Sequence, residues 1–159
     1  MKNVFKCSNS KKINYLSGIP TFNIEINQNG IVLLSNKQKK MKKREFLFSD
    51  IDKVELSYTP GQYSTAIAIN KTVKYYYDLI IYLNSQEWIL EFSKLSELNN
   101  CIDLLEKYEI TIDDPIGIYD VLNTKSEYEV EKYLIRNSKK LKEKKKNNET
   151  RFFKNYISD

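Results

Sequence analysis

The sequence predicts an α+β fold: a small antiparallel barrel of about seven short strands, one amphipathic helix closing it, and a helical basic tail. Three observations predict it. Apolar and polar side chains alternate in several short runs between residues 22 and 92, the mark of strands with one buried face. Asn, Gly, Pro and Asp punctuate those runs as tight turns do. Past residue 93 the apolar spacing becomes helical, with Leu95, Leu98, Cys101 or Ile102, and Leu105 on one face.

Taken in order, residues 1–12 are polar and lysine-dotted and read as a loose arm. Ile13–Leu16 is a short first strand, broken by Gly18-Ile19-Pro20. Phe22, Ile24 and Ile26 alternate with Asn23, Glu25 and Asn27, a strand with one wet face. Asn29-Gly30 supplies the positive φ angles of a primed hairpin turn and sends the chain back through Ile31–Ser35. Residues 36–44 form a basic loop or strand extension, and Glu45–Phe48 resumes the strand pattern. Ser49-Asp50-Ile51-Asp52 turns into a strand carrying Val54, Leu56 and Tyr58, which Thr59-Pro60-Gly61-Gln62 ends as a turn. Ala66–Ile69 is a further short strand.

The best-defined stretch is 74–108. Tyr75, Tyr77, Leu79, Ile81 and Leu83 alternate with Tyr76, Asp78, Ile80, Tyr82 and Asn84. Asn84-Ser85-Gln86 makes a hairpin loop. Trp88, Leu90 and Phe92 return, with Glu91 on the opposite side, and Ser93 is placed to cap the helix. Beyond it, Ile110–Ile112 is a short extended piece. Asp114 and Pro115 open a short helix to about Leu122. Thr124-Lys125-Ser126-Glu127 fits a capping box for a last helix through Tyr128, Glu131, Leu134 and Ile135, which fades after Arg136 into a solvated, fraying run. The expected division is a domain over 13–122 and a basic tail, helical or partly disordered, over 123–159.

Charge is unevenly spread. Residues 1–44 hold ten Lys and Arg against one acid, residues 45–131 hold six against 17, and residues 132–159 hold ten against three. The basic ends can therefore meet an outside anion or the chain's own acidic middle. No apolar run approaches the roughly 18 residues of a spanning helix, and the first ten residues show no secretory leader. Cys7 and Cys101 do not suggest a disulfide framework. The cytoplasm is the expected compartment, with a peripheral place at the inner membrane surface if the basic segments meet lipid.

Strands that must hide their edges and one open end, followed by a helix able to cap them, suit a small barrel. Over about residues 13–108 the chain resembles the pleckstrin-homology-like (PH-like) superfold, including its bacterial members. The resemblance rests on the order of elements, on Phe46-Leu47-Phe48-Ser49-Asp50-Ile51-Asp52-Lys53-Val54, and on the Trp88 strand followed by a helix. Asp50, Ile51 and Val54 match the Asp-Ile-x-x-Val step of related bacterial domains, whereas Trp88 precedes the final helix and in many PH domains the tryptophan lies within it. The resemblance implies an interaction module. In phosphoinositide-binding members, basic residues around the first hairpin and the next strand meet the headgroup, a place similar to that of Lys37, Lys39, Lys40, Lys42, Lys43 and Arg44.

Catalysis has little to stand on. The chain has no histidine, its four glycines are isolated, and no Cys/His set can hold zinc. Asp113 and Asp114 are half of a hard-cation site at most, and Asp114 is better explained as a cap. Cys101, on a helix core stripe, reads as an inert buried thiol. Tyr75, Tyr76 and Tyr77 read as cross-strand packing, with a base-stacking platform as the other use of such rings. The functional residues expected are the two lysine runs: Lys37, Lys39, Lys40, Lys42, Lys43 and Arg44, and, in the tail, Lys139, Lys140, Lys142, Lys144, Lys145 and Lys146, with Phe152, Phe153 and Tyr156 beyond. The expectation is a non-catalytic module, without cofactor or metal, binding a protein partner or an anionic membrane surface. The alternative is a nucleic-acid-associated accessory protein using the same lysines. The plainer reading of both runs is solvation and protection of a sheet edge.

Overall fold

A computed structural model describes residues 4–9, 22–35, 43–63, 72–84 and 86–149. Among these residues are eight strands and three α-helices: β1 (Val4–Asn9), β2 (Phe22–Asn27), β3 (Gly30–Ser35), β4 (Lys43–Leu47), β5 (Ile51–Tyr63), β6 (Thr72–Leu83), β7 (Gln86–Phe92), α1 (Leu95–Lys107), β8 (Ile112–Asp113), α2 (Tyr119–Thr124) and α3 (Glu127–Glu149). The class is α+β, as the sequence predicts. The N-terminal residues, expected to be a loose arm, instead contain a strand. The expected strands Ile13–Leu16 and Ala66–Ile69 lie outside the described residues.

The strand order is β4-β3-β2-β1-β7-β6-β5-β8. β1 serves two ladders: Val4–Cys7 pair with β2, and Ser8 and Asn9 pair with Glu91 and Leu90 of β7. The order bends at β1, so β4 comes over β7 and the rings of Phe46 and Trp88 meet edge to face, 5.1 Å between centroids. The hydrogen-bonded closure expected of a barrel is not found among the described residues. No ladder joins the two ends of the order; the outer edge of β5 takes the two-residue β8 instead, in parallel, through Val54↔Ile112 and Glu55↔Asp113.

The β2–β3 hairpin forms where Asn29-Gly30 predicts one, but with a different turn. Gln28 and Asn29 make it, and neither has positive φ; among the described non-glycine residues only Asn84 and Glu109 do. The Asn29 amide donates to Asn27 Oδ1 at 2.9 Å, a side-chain-closed turn. Gly30 is needed for closeness, since a Cβ there would lie 2.0 Å from the Phe46 carbonyl oxygen on β4. A second correction concerns Thr59-Pro60-Gly61-Gln62, expected as a turn and found inside the continuous β5, paired with β6 through Pro60↔Tyr75 and Gly61↔Lys74. Proline is tolerated there because β8 covers only Val54 and Glu55 on the far side of β5, so no ladder bond requires a Pro60 donor.

Helix α1 buries Leu98, Ile102 and Leu105 completely, each worth roughly 1.5–3 kcal/mol relative to exposure. Its N-cap is Lys94, without a side-chain cap bond, not Ser93. Its end follows the Schellman pattern: the Glu109 amide donates to the Glu106 carbonyl and the Ile110 amide to the Leu105 carbonyl. Asp114 caps as expected but over a longer span, its two oxygens accepting from the amides of Gly117 (2.8 Å) and Tyr119 (2.7 Å), so α2 starts at Tyr119 and not at Pro115. The capping box lies two residues later than predicted. The Ser126 amide and hydroxyl both donate to Glu129 Oε2, and these bonds hold the Glu129 carboxyl below its ordinary range. α3 then continues through Glu149 where fraying is expected after Arg136. It does so because Val130, Leu134 and Leu141 return to the core every turn or two.

Candidate functional site

Helix α3 has two faces. Val130, Leu134 and Leu141 are buried on one side. At 100° per residue, Tyr128, Lys132, Ile135, Lys139 and Lys142 fall together on the opposite side. All five are exposed, and Tyr128 and Ile135 are 64% and 55% accessible. Lys132 Nζ lies 4.2 Å from the centre of the Tyr128 ring, a cation–π contact on the helix surface. Arg136, Lys140, Glu129 and Glu143 border this stripe on one side and are exposed, and half-buried Glu131 borders it on the other. The stripe itself is therefore basic, with two apolar side chains set among its lysines, and charges of both signs border it.

The expected tail lysines divide. Lys139, Lys140 and Lys142 are exposed. Lys144 is exposed as a residue yet donates to the Ile116 carbonyl at 2.9 Å. Lys145 is half-buried, donates to the Tyr58 carbonyl at 2.7 Å and has its Nζ 5.5 Å from the Tyr58 ring centre. These two bind the helix to the protein's own body. Lys146 lies in α3. Of the other run, Lys43 and Arg44 fall on β4, the end strand of the order, opposite Leu34 and Leu33 of β3. Lys37, Lys39, Lys40 and Lys42, like Phe152, Phe153 and Tyr156, lie outside the described residues.

The far side of β5–β7 holds a second constellation. Asp78 of β6 and Glu91 of β7 are register partners, directly opposite across the ladder, and each is only 1% exposed. Thr59 Oγ1 donates to Asp78 Oδ2 at 2.7 Å. Asp78 Oδ1 and both carboxyl oxygens of Glu91 are buried without a hydrogen-bond partner. Burial pushes the Asp78 carboxyl up to about 6, against the pull of the Lys145 charge and the Thr59 bond. Burial, and then the neighbouring Asp78 charge, push Glu91 up to about 8, again opposed by Lys145.

Sequence periodicity sets both acids on the side of their strands opposite the main apolar run, and the structure buries that side as well. The signal was present in their neighbours: Tyr76, Ile80 and Ile89 share the acids' side of their strands, so these strands carry apolar residues on both faces, the pattern of sheet buried on two sides. On α3, by contrast, the large apolar side chains of Tyr128 and Ile135 are exposed. Tyr75, Tyr76 and Tyr77 are all buried, so their rings pack in the interior and offer no stacking surface. Cys101 is buried, as expected, and is in no disulfide.

A smaller polar cluster ties β8 down. Lys53 bridges Glu55 (2.7 Å) and Asp113 (3.4 Å). Desolvation pulls the Lys53 ammonium down, but the two carboxylates outweigh it and hold the group above its ordinary value. Asp113 is thus an ion-pair partner, and Asp114 has both oxygens engaged in capping. Among the described residues no cluster of three or more Cys, Asp or Glu is placed to hold a metal ion, and no helix is long and apolar enough to cross a membrane. Compared with known proteins, the chain matches no family model and none of the curated proteins.

Proposed function

We propose that this chain is a non-catalytic interaction module, built on a PH-like plan, that docks on an anionic membrane surface through the outward face of α3. The observation that carries the reading is the stripe Tyr128, Lys132, Ile135, Lys139 and Lys142, opposite the stripe that α3 buries in the core. Each lysine brought to an anionic bilayer contributes about 1 kcal/mol, and Tyr and Ile side chains lie well at the headgroup boundary. Lys144 and Lys145 hold the helix to the body, so the charges are presented by a fixed surface. In sequence, Lys37, Lys39, Lys40 and Lys42 add positive charge directly after the first hairpin, a position similar to that of the headgroup-binding basic residues of phosphoinositide-binding PH domains. The PH-like plan is supported by the meander of antiparallel strands, the bend at β1 and the helix after β7.

The test is co-sedimentation with vesicles containing phosphatidylserine against vesicles of phosphatidylcholine alone, at low and near-physiological salt. The expected result is binding to anionic vesicles at both salts. A K132E/K139E/K142E variant loses at least about 100-fold in affinity, as three contacts of about 1 kcal/mol each require. Equal behaviour on the two lipids would overturn the reading. Absence from both with retardation of single-stranded RNA would assign the lysines to nucleic acid, and absence from both with no retardation would leave a protein-docking face.

A further inference from the structure

Two carboxyl groups face each other inside the protein at Asp78 and Glu91, and one ammonium, that of Lys145, acts on both. Two adjacent ionised carboxylates without solvent are strongly disfavoured, so such pairs retain one proton between them. The hydrogen bonds say where it resides. Asp78 Oδ2 accepts from the Thr59 hydroxyl, which favours the ionised form of Asp78. Glu91 accepts from nothing, and Asp78 Oδ1, on the strand directly opposite, is without a donor. A proton on Glu91 supplies that donor. One negative charge then remains against the one positive charge of Lys145.

We propose that Asp78 and Glu91 form a buried proton-binding site whose occupancy is transmitted to helix α3 through Lys145. With the proton bound, the site is balanced and Lys145 stays on the Tyr58 carbonyl. With the proton lost, two buried negative charges face a single ammonium, and Lys145 and the turn of α3 around it change place. Among the described residues, the charged groups whose fields reach the pair are its own two members, from β6 and β7, and Lys145, from α3. The inference is independent of what the outward face of α3 binds.

The experiment is an NMR titration of the full chain, following the side-chain carboxyl carbon of Glu91 and the backbone amides of Val130, Leu134 and Leu141. Glu91 is expected to titrate above pH 7, more than two pH units above an ordinary glutamate, and the Leu141 amide to shift with the same midpoint. In E91Q, which keeps a neutral hydrogen-bonding side chain, the Leu141 shift is lost. A Glu91 midpoint below pH 5 overturns the site, and a Leu141 amide that ignores the Glu91 titration overturns its coupling to α3. Both readouts come from the unaltered chain, so the result does not depend on the variant folding.

Discussion

The ammonium of Lys145 donates to the backbone carbonyl of Tyr58 across 2.7 Å, joining the C-terminal half of α3 to β5, 87 residues earlier in the chain. A hydrogen bond from a charged donor is worth about 1.5–3 kcal/mol when desolvated, and Lys145 is half-buried. K145M keeps the stem and removes the donor. Its expected cost is about 1–2 kcal/mol, or a Tm lower by several degrees in a chain of this size. K142M, changed at an exposed neighbour, should leave Tm where it is. Equal Tm values for K145M and the unaltered chain would show that the contact does not hold the helix.

The Asp78–Glu91 pair sets a pH dependence of stability whose sign follows from the direction of the shifts. Both carboxyls are raised in the folded protein, to about 6 and about 8, above their values in the unfolded chain. The folded state therefore binds more protons than the unfolded state between about pH 4 and pH 8. Stability from this pair is fully present at the acid end of that window and is lost as pH rises through about 8. Urea midpoints measured from pH 5 to pH 9 should fall for the unaltered chain and fall much less for E91Q. A midpoint that rises across this range would contradict the assignment.

Glu109 occupies the left-handed position after α1, at φ 63°, where the Schellman bonds to Glu106 and Leu105 demand it. A side chain in that conformation costs roughly 1 kcal/mol relative to glycine. E109G should raise the urea midpoint by the equivalent of about 0.5–1 kcal/mol, after the extra freedom of glycine in the unfolded chain is counted. The slope of the unfolding transition should stay the same. A lower midpoint would mean that the Glu109 side chain contributes more than its backbone strain costs.

Much of the fold is legible in the sequence where one face of an element is apolar and the other is not. Ile24 and Ile26 on β2, and Leu98, Ile102 and Leu105 on α1, are buried as their spacing requires. Legibility fails where a local signal depends on neighbours far away in the chain. Thr59-Pro60-Gly61-Gln62 has the composition of a turn, yet it runs as strand because β6 pairs with it and the other edge needs no donor from Pro60. The same limit applies to the site. The tail lysines are evident as charge, but only packing divides Lys139, Lys140 and Lys142, which face outward, from Lys144 and Lys145, which bind backbone carbonyls of the protein itself.

By itself the sequence determined the α+β class, most of the β2–β3 and β4–β7 strands, helix α1 and the placing of positive charge at the two ends of the chain. These follow from periodicity, turn chemistry and composition, which act over a few residues. The tertiary structure alone decided that β1 joins two ladders, that among the described residues the order ends at β4 and β8 without closing, and that Asp78 and Glu91 face each other out of water. Whether a polar residue in a strand is wet depends on what packs over it. That is a property of contacts between distant segments: the apolar neighbours Tyr76, Ile80 and Ile89 signal a second covered face, but not which acid meets which.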